Sequence, residues 1–278
     1  MDLAIALFFG LSIGSFLNVC IARLPLDMSI VHPLSRCPKC KKLIAWYDNI
    51  PILSYLWLGA SCRHCNTEIS IRYPAIEALT AVLSVLLILQ YGPTPQWGVY
   101  LAFSCGMIVL VMIDYDHRIL PDVITLNGIW VGVLASVYLA QPSALASRLL
   151  GVFGVVGSGP RVEALTASLV GVAFGGGLLW VVREVFFRIR GIEGMGFGDV
   201  KMMAMVGAFL GFPLTLLTLL LGSVVGSVIG LVVIRVFGKS RNYELPFGTF
   251  LGMGAILATI YGDDLVRLYL DLMFPASS

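Results

Sequence analysis

Two aspartates fall where membrane-spanning sequence rarely tolerates an acid. Asp114 closes an apolar run in Ile113-Asp114-Tyr115-Asp116, and Asp199 ends the stretch Gly194-Met195-Gly196-Phe197-Gly198-Asp199, directly ahead of another apolar run. An anion at a helix C-terminus meets the negative end of the macrodipole, so helix formation alone gives no reason for Asp114. Asp199 has a plainer reading as the N-cap of the helix it opens, with the glycines as a flexible approach. Asp122 reads as an N-cap too, and Asp116 as a partner of Arg118 or a water-facing acid. Two carboxyls held side by side can do what neither does alone. One activates a water as general base while the other donates a proton to the carbonyl oxygen of a peptide bond. Gly196 and Gly198, lacking Cβ atoms, would let an extended substrate backbone come close to Asp199.

A second constellation is made of sulfur. Cys37 and Cys40 form one C-x-x-C pair, and Cys62 and Cys65 form another 21 residues further on. Each pair offers two thiolates from one tight turn, a spacing that suits a four-sulfur zinc knuckle. A closed shell leaves no position for substrate, so the metal would be structural, holding together a loop too small to build a robust core. Disulfides or reactive thiols are the alternative, disfavoured by a cytoplasmic placement. His32 and His64 read as surface residues, and Cys20 and Cys105, in apolar runs, as packing residues.

The elements that must position these groups are helices in a bilayer. Of 278 residues, 58% are hydrophobic and 12% charged, with mean hydropathy +0.93, too thin a charged coat for a water-soluble domain. Eight apolar runs are visible, at about 3–22, 75–91, 96–114, 122–140, 163–183, 200–212, 214–236 and 247–269. The sixth is short, and Phe212-Pro213 predicts a tight turn into the seventh. Gly171, Gly175, Gly176 and Gly177 in the fifth run, and Gly222, Gly226 and Gly230 in the seventh, predict close helix contacts. Asp2 and the lack of a small-residue cleavage site make the first run a retained span rather than a signal peptide.

Orientation follows from the basic residues. With the 23–74 loop in the cytoplasm and the spans alternating, fifteen of the eighteen Lys and Arg residues face the cytoplasm. Only Arg148, Arg161 and Arg267 face outward, so both termini are expected in the periplasm. The 141–162 connection reads as an extracytoplasmic loop without chemistry. The third span then arrives at Asp114 from outside and the sixth departs inward-to-outward from Asp199. This parity predicts that two acids 85 positions apart meet at one depth near the cytosolic boundary. A net charge of +2, with no concentrated basic face, argues against nucleic acid as a partner.

With these residues in hand, the chain resembles the type IV prepilin peptidases, bifunctional leader peptidase/N-methyltransferases and G-x-G-D-type aspartyl proteases. The resemblance runs through Gly14-Ser15-Phe16-Leu17-Asn18-Val19, the two cysteine pairs, Asn49-Ile50-Pro51 and Ile71-Arg72-Tyr73-Pro74-Ala75-Ile76-Glu77. It continues through Asp114 to Leu120-Pro121-Asp122, the Gly-Met-Gly-Phe-Gly-Asp stretch and Pro246-Phe247-Gly248. It implies an all-α polytopic membrane protein of about eight transmembrane helices carrying a cytoplasmic four-cysteine zinc-knuckle loop. The implied division is a first helix at 1–22, a zinc-binding, methyltransferase-associated loop at 23–74 and a polytopic peptidase domain at 75–278.

Asp114 and Asp199 are the implied catalytic pair. The implied reaction cuts the basic leader of type IV prepilins, or of type II secretion pseudopilins, between Gly and a following Phe on the cytoplasmic side of the inner membrane. The freed α-amine is then methylated from S-adenosylmethionine. No Gly-rich strand–turn–helix marks a Rossmann methyltransferase. Arg72 and Glu77 are candidate polar contacts for the methyl donor, with helix-end anchoring as their plainer role. Two departures from the family pattern are extra residues around Ser143–Arg161 and Pro-Phe-Gly-Thr where a second Pro is frequent. A transporter, or a zinc-knuckle assembly factor for a pilus or secretion machine, is the alternative. A transporter favours mid-span charges and paired interrupted helices, and an assembly factor needs no acid pair.

Overall fold

The computed structural model describes residues 2–140, 159–192, 194–236 and 246–273. The chain forms two compact units, Met1–Cys105 and Gly106–Ser278. In the first, α1 (Asp2–Arg23) lies along α3 (Arg72–Tyr91), with the short α2 (Leu53–Trp57) in the polar loop between them. The two long helices touch backbone to backbone. A Cβ on Gly10 would sit 2.5 Å from Ala81 Cα, and one on Gly14 only 2.7 Å from Glu77 Cα. Small residues allow this approach, and dispersion between close backbones is what holds helices together where lipid removes the hydrophobic drive. Polar side chains finish the contact: Ser84 Oγ donates to Ala6 O at 2.7 Å, Asn18 Nδ2 to Tyr73 O at 3.1 Å, and Trp97 Nε1 to Ser84 O at 3.0 Å. Trp97 belongs to α4 (Pro95–His117), whose later residues lie in the second unit. Cys20 and Cys105 are buried, as packing residues should be.

The second unit adds α5 (Asp122–Leu139), α6 (Pro160–Arg190), α7 (Phe197–Val236) and α8 (Phe247–Met273). Among the described residues, seven helices are long and apolar enough to cross a membrane. Eight runs were expected, and the difference lies in α7, whose 40 residues are interrupted by a non-helical Gly211 at φ 71°, ψ 175°. A Cβ on Gly175 would collide with Met203 O and stand 3.0 Å from Thr215 Cγ2. Residues 203 and 215 therefore lie beside the same residue of α6, whereas twelve positions of unbroken helix would separate them by about 18 Å. So α7 doubles back and supplies both the sixth and seventh spans.

The turn falls at Gly211 rather than at Phe212-Pro213 because only glycine adopts its positive φ with extended ψ without strain. Pro213 then sits in the first turn of the returning half, where its missing N–H costs nothing. Gly211 is buried, and irregular backbone at membrane depth needs that cover. The glycines of α6 and α7 behave as the spacing suggests. A Cβ on Gly171 would collide with Gly207 O, one on Gly222 would come within 3.0 Å of Leu251 Cα, and one on Gly226 within 3.1 Å of the Phe250 ring. Gly177 is the exception, facing open space.

Two boundaries also shift. α6 starts at Pro160, inside the segment read as a loop, and continues to Arg190, where Gly191 at φ 69° caps it. The rest of the expected 141–162 connection, residues 141–158, lies outside the described residues, as do Lys239 and Arg241.

Candidate active site and metal centre

The second unit brings three helix ends together. α4 stops three residues beyond Asp114, at His117, where Arg118 turns to φ 57° and its N–H donates to Asp114 O at 2.8 Å. Asp199 stands in the first turn of α7, two residues after the helix begins, rather than at an N-cap. α8 begins at Phe247 and carries Gly248 and Thr249 in its first turn. Both acids are buried, Asp114 at 6% exposure and Asp199 at 7%.

Gly248 is the point at which they meet. A Cβ there would lie 2.8 Å from Asp199 Oδ1 and 3.0 Å from Asp114 Oδ2. One oxygen of each carboxylate thus packs against the same bare Cα, and the two acids approach this closely because residue 248 has no side chain. Asp114 Oδ2 also accepts the Thr249 N–H at 2.6 Å and the Thr249 hydroxyl at 2.9 Å. This answers the cost of an anion at the end of α4: the carboxylate faces the N-terminal N–H groups of α8, where helix geometry favours negative charge.

The two predicted glycines do different things. Gly196 is open toward Asp199, with Oδ2 at 3.8 Å from a Cβ built on it, whereas the bare side of Gly198 is filled by Leu120, whose Cβ would be 2.9 Å away. Asp122 is the first residue of α5, not its N-cap, since the cap position is Pro121 and makes no side-chain bond. Its carboxylate is engaged instead by Lys201 Nζ, at 2.6 and 2.8 Å. Lys201 also lies 5.2 Å from the Phe197 ring centre.

In the first unit the four cysteines converge. The Sγ atoms of Cys37, Cys40, Cys62 and Cys65 all lie within 4.8 Å of one another, and Cys37 Sγ and Cys65 Sγ are 3.7 Å apart. That separation is far beyond the roughly 2.05 Å of a disulfide. It matches the edge of about 3.8 Å that zinc–sulfur bonds of about 2.3 Å give a tetrahedron. The donor set therefore fits a thiolate-loving ion.

Two equivalent turns build the cluster. Cys37 N donates to Lys42 O and Lys41 N to Cys37 O; Cys62 N donates to Thr67 O and Asn66 N to Cys62 O. Each turn is closed by an antiparallel bridge, Arg36 with Leu43 and Ser61 with Glu68, and passes through a positive φ, at Lys41 and Asn66. Twenty-five residues separate every equivalent pair. The Cys65 thiol is pulled down to about 6, first by the Thr67 hydroxyl and backbone, so one sulfur is poised as thiolate at neutral pH. Arg63 forks onto both oxygens of Asp48, which holds that carboxyl below its usual range and ties the second turn to the segment between the pairs. His32 and His64 are exposed and outside the cluster.

Comparison with known proteins bears on both halves. Residues 8–91 match the bacterial peptidase A24 N-terminal domain, and residues 101–231 match the type IV leader peptidase family. The chain is 34% identical to a prepilin leader peptidase/N-methyltransferase of Pseudomonas aeruginosa, over 94% of this chain and 91% of that one. It is 32% identical to the protein of that name from Pseudomonas putida (98% and 94% covered) and 34% to that of Stutzerimonas stutzeri (96% and 93%). The chain belongs to the type IV leader peptidase family. No solved structure matches it.

Within this leader peptidase family member, Glu77 and Arg72 lie on α3, away from the cysteine turns in sequence. Glu77 is buried and its Oε2 accepts the N–H of Ile52 at 2.8 Å. Ile52 is the centre of a γ-turn, φ 59°, ψ −48°, closed by Leu53 N donating to Pro51 O at 2.6 Å. Arg72 opens α3, with its N–H on Ser70 Oγ at 3.3 Å. Gly248, Thr249 and Leu120 carry the geometry of the acid site without having been assigned to it from sequence. The Pro246-Phe247-Gly248 stretch was the nearest signal.

Proposed function

We propose that this chain is a membrane aspartic endopeptidase that removes the leader of type IV prepilins or type II secretion pseudopilins, and an N-methyltransferase acting on the amine so exposed. The observation that carries the proteolytic half is the single position beside Gly248 within 3.0 Å of an oxygen of both Asp114 and Asp199. Two carboxyls that flank one bare Cα this closely can share a single bridging water, as joint acid–base work on a peptide bond requires. Asp114, held by two donors from Thr249, is suited to the ionised role of base, and Asp199 to that of proton donor. No covalent intermediate is needed. The relatives' shared name, prepilin leader peptidase/N-methyltransferase, supports the substrate and the second activity.

In this reading the substrate's apolar helix lies in the bilayer beside the enzyme, with the Gly–Phe junction at the cytoplasmic face of the inner membrane. The weight of Lys and Arg on that side supports this orientation, in which both termini are periplasmic. Cys37, Cys40, Cys62 and Cys65 hold a structural zinc that fixes the 23–74 loop. S-adenosylmethionine supplies the methyl group when bound. Glu77 and Arg72 are carried forward as its candidate contacts, with the Glu77 carboxylate already engaged by the Ile52 N–H and the Ser15 hydroxyl.

The test is processing of a synthetic prepilin by detergent-extracted enzyme. Asp114→Asn and Asp199→Asn should each abolish cleavage while the protein accumulates normally in the membrane, and both should still methylate a pre-cleaved pilin peptide. Cleavage by both variants at the wild-type rate would overturn the acid-pair mechanism.

A further inference from the structure

Leu120 lies in the short connection between α4 and α5, and its side chain is placed against the acids. Its Cβ would be 2.9 Å and its Cδ1 3.2 Å from a Cβ on Gly198; its Cδ1 would be 3.1 Å from a Cβ on Gly248. The same point beside Gly248 is 2.8 Å from Asp199 Oδ1 and 3.0 Å from Asp114 Oδ2. One leucine thus fills the room left by two glycines, one adjoining each side of the acid pair. A side chain at 198 would collide with its Cβ, and one at 248 would press on its Cδ1.

Leu120 is also fixed from behind. Pro121 follows it with restricted φ, and Asp122 is ion-paired to Lys201, two residues beyond Asp199. The connection that carries Leu120 is therefore tied to the same helical turn that carries Asp199. This is a built apolar wall beside the acid pair, held by an ion pair between residues 79 apart in sequence.

We propose that Leu120 is a specificity-determining residue: it forms the wall against which the side chain following the scissile bond packs, with the Asp122–Lys201 pair as its positioning device. The proposal rests on the proteolytic reading above. In that reading the residue before the bond is glycine, which needs no pocket, so the apolar side chain after it is the one with a surface to match. The size of residue 120 then sets the size of side chain admitted.

The experiment uses full-length enzyme in detergent and synthetic prepilins differing only in the residue after the scissile bond: Ala, Leu, Phe and Trp. Leu120→Val and Leu120→Ala should raise kcat/KM for Trp relative to Phe stepwise, by about tenfold for the alanine variant, the scale expected for a few methylenes in an apolar pocket. Leu120→Phe should move preference toward Ala. The charge reversal Asp122→Lys should blur the preference and the double reversal Asp122→Lys/Lys201→Asp should restore it, which a general loss of stability would not do. Detergent-extracted yield and melting temperature report folding, and the valine variant keeps the series readable where the alanine variant is lost. A substrate ratio unchanged across the series in cleaving enzyme overturns the role of Leu120. Wild-type enzyme that cleaves none of the four peptides instead overturns the proteolytic reading.

Discussion

Thr249 donates both its backbone N–H and its hydroxyl to the same oxygen of Asp114, at 2.6 and 2.9 Å, from a helix that begins more than a hundred residues later. The acid at the end of α4 is thereby solvated by the start of α8. Hydrogen bonds to a charged acceptor are each worth about 1.5–3 kcal/mol. Thr249→Val deletes the hydroxyl and keeps shape and N–H, so kcat for prepilin cleavage should fall about tenfold to a hundredfold with KM little changed. Thr249→Ser should retain most of the rate. Steady-state kinetics on a synthetic prepilin, beside membrane accumulation of each variant, checks this.

Gly248 has no such donor to lose; its contribution is the absence of an atom. Gly248→Ala would put a methyl carbon 2.8 Å from Asp199 Oδ1 and 3.0 Å from Asp114 Oδ2, nearer than carbon and oxygen pack without strain. A methyl group there would push the two carboxyls out of their shared geometry, so cleavage should fall at least a hundredfold. The helix itself tolerates alanine better than glycine. Cleavage assays and thermal melts together separate a blocked site from a collapsed one. A variant that melts normally and cleaves at the wild-type rate would refute the role given to this position.

What could be read beforehand is instructive. The acids were visible because charge inside an apolar run is costly, and their meeting followed from counting spans. The cysteines were visible because C-x-x-C spacing is local. The roles of Gly248, Thr249 and Leu120 were hidden for the opposite reason: a small or apolar residue at a helix start or in a short connection carries no chemical signal until a distant helix end is set against it. The Asp122–Lys201 pair joins residues 79 apart, and an acid at a helix start has a sufficient local explanation as a cap. The break in α7 was placed one or two residues late because Gly211, Phe212 and Pro213 offer two turn-formers in succession. The equivalence of the two cysteine turns is not legible in the sequence because beyond the cysteines the ten-residue segments 35–44 and 60–69 share little but Ile44 and Ile69.

Metal content is a direct consequence of the sulfur cluster. Purified protein should hold about one zinc per chain, and Cys→Ser at any of positions 37, 40, 62 or 65 should lower that occupancy and make the 23–74 loop sensitive to protease. Metal analysis with limited proteolysis reads both. Active protein without stoichiometric metal would remove zinc from the proposal.

The Asp48–Arg63 fork adds a pH dependence to the same loop. Arg63 lowers the folded-state value of Asp48 below its unfolded one, so the stabilisation is present above the unfolded value and is lost as pH falls through the folded one. Asp48→Asn should therefore increase protease sensitivity of the loop at neutral pH, and the gap between variant and wild type should close as pH falls below the usual carboxylate range. Digestion rates across that range test the sign.

The last prediction concerns Ile52, a β-branched residue held at φ 59°, where L side chains are strained by about 1–3 kcal/mol. The strain persists because Glu77 Oε2 takes the Ile52 N–H and Pro51 O takes the next one. Two substitutions separate these causes. Ile52→Gly adopts the turn without penalty and should leave the loop as resistant to protease as wild type, or more so. Glu77→Leu leaves the Ile52 N–H without its acceptor, at a cost of about 1–3 kcal/mol, and should release the segment around Pro51. In the double variant glycine removes the strain but not the missing acceptor, so protection should recover only in part. Hydrogen exchange at residues 52–54 reads each state directly. Equal protection in Glu77→Leu and wild type would mean that the turn is held by something other than this carboxylate.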